Sequence, residues 1–338
     1  MRAWQISQFG IEHLSERDLP QPACGPGQVL VRVRATSLNY RDLMMVRGHY
    51  DPKLHFPRIP LSDGAGEVVE TGAGVTQVKR GDRVIGLFSQ NWLDGEPSAE
   101  KARHALGGDV DGMLAEYVVL PESGVLKFPA HLTDAEAATL PCAALTAWNA
   151  LFESSKARPG STVVIQGTGG VSIFALQFAK LAGARVLGTS GSDHKLEAVR
   201  KLGLDEGLNY RTTPEWSQWV KERTEGVGAD IIVEVGGAGT FGESLKAVRM
   251  GGIIVQIGVL SGVEERLPLV PILMRQIQIK GINVGSRAMA ERMMAAIRQS
   301  GLRPVIDRVF PFAEAREALQ HLASGSHLGK IVIQVSEK

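Results

Sequence analysis

Hydrophobic positions divide the chain into regions of different period. Over "GQVLVRVRATSLN", Val29, Val31 and Val33 alternate with polar residues, which predicts a strand buried on one face. "GAGEVVETGAGV" and "GDRVIGL" repeat the style, with tight turns at Gly72 to Gly74 and at Gly81-Asp82. Short strands and Gly/Pro turns are therefore expected across the first 128 residues. The polar stretch from Ser89 to Gly112 has no clear period and predicts a surface loop or lid.

From Phe128 onward the pattern changes. Thr133, followed three residues later by Glu136, has the spacing of a capping box and predicts a helix start. Strand candidates follow at Val163–Gln166, Arg185–Thr189, Gly207–Tyr210, Asp230–Val235, Gly252–Gly258 and Gln276–Ile282. Helices are predicted between them at Ile173–Ala182, Lys195–Leu202, Pro214–Thr224 and Gly242–Val248. This alternation implies an α/β fold with a parallel sheet covered on both faces. The tail reads as two helices and a final strand. The expected segments are a β-rich domain over 1–128, a doubly wound domain over 129–285, and a return over 286–338.

Composition narrows the partners. A length of 338 residues accommodates two domains, and a net charge of +1 gives no reason to expect nucleic acid or an acidic membrane surface. Cys24 and Cys142 are the only cysteines, so a disulfide framework and a cysteine-rich structural zinc site are both excluded by count. Arg2 is followed by a mixed, strand-like start rather than an apolar leader, and no run has the length of a membrane span. A reducing cytoplasmic setting is expected.

The chemistry begins at "VVIQGTGGVS". Gly167, Thr168, Gly169, Gly170 and Val171 link an apolar strand to an amphipathic helix, with Ser172 at the third fingerprint position. Gly167 suits the sharp turn, and Gly169 lets backbone N–H groups approach a pyrophosphate at the helix start. Ser172 is small enough for the helix to pack on the strand. An NAD site carries an acid about 20 residues further on, where Leu187 to Ser190 offer none. Ser190, Ser192 and Lys195 instead present hydroxyls and a cation suited to a 2′-phosphate. NADP(H) is expected over NAD(H).

Together with "GAGEVVETGAGVTQVKRGDRV", "LPCAALTAW" and the terminal "GKIVI", this turn resembles the medium-chain dehydrogenase/reductase superfamily over nearly the full length. The resemblance implies a GroES-like catalytic domain built from both chain ends, a central Rossmann domain and a cofactor cleft between them. It also implies a homodimer or homotetramer, often joined through the last sheet strand, here "QIQIKGI". Many members are zinc alcohol dehydrogenases. At their metal positions this chain has Asn39, Ser62, Asp63 and Cys142, and the loop that would carry four structural cysteines has none. His49, His55 and His104 stand at no ligand spacing, so no zinc is expected.

The zinc-free branch is similar to quinone oxidoreductases and enoyl reductases that use NADPH. In it, "SLNYRDLMMVRGHY" matches an N-x-x-D segment, with Asn39 and Asp42 beside the cofactor. Lys195 and Tyr210 match the residues that bind the 2′-phosphate. Thr146, Gly258 and Val259 match positions near the nicotinamide, and Asn283, Gly285 and Ser286 follow the last strand. The implied reaction is hydride transfer to a quinone or α,β-unsaturated carbonyl, with Asn39, Tyr40 and Tyr50 as candidates for contact with the substrate oxygen. Arg41 is expected to be exposed, and Cys142 to be a buried thiol. An alcohol dehydrogenase-like enzyme and a non-catalytic NADPH-binding sensor are the alternatives.

Overall fold

The computed structural model describes residues 1–336. The chain forms two compact units, Met1–Leu145 with Val284–Lys338, and Thr146–Asn283. The first division falls later than the sequence pattern suggests. The capped helix Asp134–Ala138 packs on the strands Gln28–Ser37 and Asp63–Thr71, which holds residues up to Leu145 in the first unit.

In the first unit a seven-stranded sheet runs Ile306–Pro311, Lys330–Gln334, Gln28–Ser37, Asp63–Thr71, Arg83–Gly86 and Val125–Lys127, with Tyr117–Pro121 also paired to Gln28–Ser37. Val29, Val31 and Val33 are buried in a core shared with Ile331 and Ile333, but Leu30, Arg34 and Thr36 between and beyond them are buried too, so the strand is covered on both faces rather than on one. The final strand pairs antiparallel with the first long one, Val332 opposite Ser37 and Ile333 opposite Thr36. On the other side Ser37 lies opposite Asp63. Three strand ends thereby meet at one place.

A helix over Tyr40–Val46 lies where no helix is expected from the hydrophobic pattern. Asn39 stands at its N-cap, and the Asp42 carboxylate reaches back to the Asn39 backbone N–H at 2.8 Å. The expected surface loop from Ser89 to Gly112 is anchored rather than free. Trp92 is buried, and the carbonyls of Trp92 and Leu93 accept from Arg287 and Ala288 at the start of the helix Arg287–Ser300.

The second unit is a six-stranded parallel sheet in the order Glu206–Asn209, Arg185–Ser190, Thr162–Gln166, Ala229–Glu234, Val248–Gln256, Gln278–Gly281. All six strand expectations are met to within a few residues. The strand order reverses at Thr162–Gln166, which places a topological switch point at its carboxyl end, where open α/β sheets bind ligands. No helix among the described residues is long and apolar enough to cross a membrane.

Candidate active site

The second unit has an open glycine turn at that switch point. Gly167 adopts φ +68°, a left-handed conformation that favours glycine, and its N–H donates to Thr189 O at 2.7 Å. A Cβ at either Gly167 or Gly169 would meet nothing within 4 Å, so the backbone surface is open. The helix Gly170–Leu181 begins with no side-chain cap, leaving the N–H groups at its positive end for an anion. Ser172 is buried and its Oγ donates to Gln166 O at 2.6 Å, tying the helix to the end of the strand. Serine thus adds a bond at the third fingerprint position.

At the end of the second strand Ser190 is buried and its Oγ accepts from Ser192 N at 3.3 Å. Ser192 is the N-cap of the helix Asp193–Arg200, accepting from Lys195 N. Tyr210 Oη lies beside Gly191, 2.8 Å from where a Cβ would stand, and Arg211 Nε lies at 2.9 Å from the same point. Arg211 was not expected; its signal is its place directly after Tyr210 at a strand end.

The neighbouring loop is held by Glu234. Its Oε1 accepts from Gly236 N at 2.9 Å, Gly237 N at 3.0 Å and Thr240 Oγ1 at 2.6 Å. Its Oε2 accepts from Gln166 Nε2 at 2.6 Å and from Ser244 Oγ. Gly258 sits against Val235 O, 2.5 Å from where its Cβ would be, and Val259 is half-buried beside it. Thr146 is buried and Asn283 exposed.

The first unit gathers a buried polar cluster where its strand ends meet. Lys330, only 2 % exposed, donates from Nζ to Leu38 O at 2.6 Å, Asn39 Oδ1 at 2.6 Å and Asp63 Oδ2 at 3.4 Å. Asp63 Oδ2 also accepts from Ser37 Oγ at 2.8 Å, and Asp63 Oδ1 from Ser62 Oγ at 3.4 Å. Asn39 Nδ2 faces Ser62 Oγ at 3.5 Å. Asp42 is fully buried: Arg41 Nη1 lies 3.4 Å from its Oδ1, which accepts from Ser62 N at 3.3 Å. Burial pushes the Asp42 carboxyl above its ordinary value, opposed by Arg41 and reinforced by Asp63. Both Asp42 oxygens are bonded within the unit, Oδ2 to the Asn39 backbone N–H and Oδ1 to Arg41 and the Ser62 backbone N–H.

Arg41 corrects the expectation of an exposed side chain. It is 11 % exposed, donates to Leu106 O at 2.8 Å and lies over the rings of Phe88 and Tyr50 at 5.0 and 5.4 Å. The buried Asp42 carboxylate draws it inward. Tyr40 and Tyr50 are both substantially exposed. Cys142 is partly buried, and its thiol is pushed up first by burial and then by the Asp63 and Asp42 charges, which holds it protonated. Gly285 packs against Leu145 and Met289, and Ser286 caps the helix Arg287–Ser300 by accepting from Met289 N at 3.2 Å.

Lys330 is the residue of this site that sequence patterning missed. Its signal was a lysine at an inward strand position after Gly329, which has φ +76° and whose Cβ would meet Val305 O at 2.4 Å. A cavity of about 500 Å³ elsewhere in the same unit, lined by residues including Leu19, Ile59, Gln90, His104 and Tyr117, includes none of the expected site residues.

Two family patterns match the chain, "Alcohol dehydrogenase GroES-like domain" over residues 25–130 and "Zinc-binding dehydrogenase" over residues 170–299. A zinc-type alcohol dehydrogenase-like protein of Schizosaccharomyces pombe is 43% identical, covering 98% of this chain and 97% of its own. An acryloyl-coenzyme A reductase of Metallosphaera sedula is 30% identical, covering 94% of this chain and 95% of its own. The crystal structure of a putative alcohol dehydrogenase from Sinorhizobium meliloti superposes with a TM-score of 0.94 at 43% identity, covering 99% of this chain and 98% of that one.

Proposed function

Since the chain belongs to the medium-chain dehydrogenase/reductase superfamily of NAD(P)-dependent oxidoreductases, we propose that it is a zinc-independent, NADPH-dependent reductase of quinones or α,β-unsaturated carbonyls. The observation that carries this reading is the Lys330–Asn39–Asp63 cluster. At the positions where zinc relatives hold their metal stand an amide and a carboxylate bonded to an ammonium, a serine hydroxyl and a single thiol. Zinc takes thiolate, imidazole or carboxylate ligands in a tetrahedron, and these residues do not fit it.

NADPH, when bound, supplies a hydride. The open backbone at Gly167 and Gly169 and the uncapped start of the helix Gly170–Leu181 suit its pyrophosphate. Ser190, Lys195, Tyr210 and Arg211 suit a 2′-phosphate, and Ser190 stands where an acid would repel it. An enone substrate gains the hydride at its β carbon while its π pair moves to the carbonyl oxygen. A proton then adds at the α carbon, from Tyr50 or water, giving the saturated carbonyl. A quinone gains the hydride and one proton to become the hydroquinone. Asn39 donates to the oxygen that becomes negative, with Tyr40 and Tyr50 as further donors.

The assembly proposed is a homodimer joined along the edge strand Gln278–Gly281. That strand is exposed throughout, and the helix Leu269–Met274 beside it in sequence buries none of its residues. The name of the acryloyl-coenzyme A reductase supports an unsaturated carbonyl substrate; those of the other two similar proteins favour an alcohol. The test is steady-state turnover of purified protein with NADPH and NADH against quinones, enones and alcohols, alongside metal analysis. NADPH-linked enone or quinone reduction without stoichiometric zinc is expected. Stoichiometric zinc with NAD-linked alcohol oxidation would overturn the reading.

A further inference from the structure

We infer that Lys330 is a positioning residue for Asn39, its ammonium fixing which end of the amide is presented to the reacting oxygen. This rests on the reading of Asn39 as a donor to that oxygen. An asparagine amide carries an acceptor at one end and two N–H donors at the other, and a half-turn about its terminal bond exchanges them. An ammonium has three donors and no acceptor, so the end of Asn39 that it touches at 2.6 Å is Oδ1.

The ammonium cannot easily turn away. Its other contacts are Leu38 O at 2.6 Å and Asp63 Oδ2 at 3.4 Å, so three acceptors match its three protons, and the group is almost wholly buried. The strand pairing that sets Val332 opposite Ser37 brings Lys330 to Leu38 and Asn39, with Leu38 N bonded to Ile331 O at 3.0 Å. With Oδ1 held, Nδ2 is the free end. Its one partner among the described residues, Ser62 Oγ, lies at 3.5 Å, the long limit of a hydrogen bond, so an incoming acceptor competes with a weak contact. The positive charge at Oδ1 also polarises the amide and strengthens its N–H groups as donors.

A merely structural lysine would balance the Asp63 charge and do no more. The two roles separate in a mutant cycle with NADPH and either menadione or crotonaldehyde, whichever the wild type turns over. Kinetics are read together with thermal melting. Asn39→Ala is expected to lower kcat about 100-fold, the loss usual for one oxyanion donor. Lys330→Met is expected to lower kcat roughly 10-fold or more, and the double variant to be no slower than Asn39→Ala within about threefold. Lys330→Arg keeps donors and charge and recovers most of kcat. Lys330→Met with Asp63→Asn removes the unpaired charge, recovers the melting temperature and stays slow; it carries the comparison if Lys330→Met alone does not fold. Multiplying losses, or recovery of kcat together with melting temperature in the charge-balanced variant, would overturn the inference while leaving Asn39 a donor. An Asn39→Ala enzyme with unchanged kcat would overturn the reading of Asn39 itself, and this inference with it.

Discussion

Gln166 Nε2 lies 2.6 Å from Glu234 Oε2, joining the ends of two neighbouring parallel strands through a buried carboxylate. Gln166 Oε1 in turn accepts from Val235 N and Gly236 N, both at 3.2 Å. The carboxylate accepts five donors, so its charge is met by hydrogen bonds. Glu234→Gln would turn an NH₂ group toward groups that already donate. A stability loss of about 2 kcal/mol is expected in urea unfolding, with weaker NADPH binding because the 235–240 loop loosens. Unchanged unfolding would show that the loop tolerates an amide there.

Cofactor choice is predicted to turn on the end of the second strand. Ser190→Asp introduces a charge that repels a 2′-phosphate and can accept from a ribose hydroxyl. The ratio of kcat/KM for NADPH over NADH is expected to fall at least about tenfold, and Arg211→Ala to raise KM for NADPH with little effect on NADH. A ratio that stays constant in both variants would remove these residues from phosphate recognition.

Acid stability should register Glu136. Burial works against its carboxylate, but the Thr133 N–H, the Arg303 guanidinium and the Thr133 hydroxyl together hold its pKa below the ordinary 4.5. Arg303 Nη1 lies 2.9 Å from both carboxylate oxygens. A carboxylate depressed in the folded state contributes stability above its unfolded pKa and loses it as pH falls through the folded value. Glu136→Gln should therefore cost about 1 kcal/mol near neutrality, and its gap to the wild type should close progressively below pH 4.5. Melting curves across that range provide the check.

The exposed helix Leu269–Met274 leads to a solubility and assembly prediction. Leu269, Val270, Leu273 and Met274 are each at least two-thirds exposed, an apolar face unusual for a monomer. Leu273→Glu is expected to convert a dimer to a monomer in light scattering, at unchanged fold by circular dichroism. A wild-type protein that is monomeric at micromolar concentration would remove the dimer from the proposal.

Local sequence determined much of the second unit, because each of its features is set by neighbours in the chain. Apolar runs of strand length, an amphipathic helix and Gly167 with its left-handed turn lie within one strand–turn–helix segment. Thr133 and Glu136 likewise form their capping box across three residues. The absence of an acid at Ser190, and the Asn39, Ser62 and Cys142 set, could also be read without coordinates.

Tertiary structure decided the polar centre of the first unit. Lys330 and Asn39 are separated by 291 residues and meet only because the last strand pairs with Gln28–Ser37. A lysine in a sequence reads as a solvated surface group, since burying an ammonium is costly unless acceptors surround it. Here Leu38 and Asn39, after the end of the strand Gln28–Ser37, and Asp63, at the start of the strand Asp63–Thr71, provide them. Arg41 follows the same rule: Asp42 and the Leu106 carbonyl, 65 residues away, meet its charge, and two aromatic rings cover it. Residue type fixed what these side chains can donate or accept; which partners they meet was set by strand pairing between distant parts of the chain.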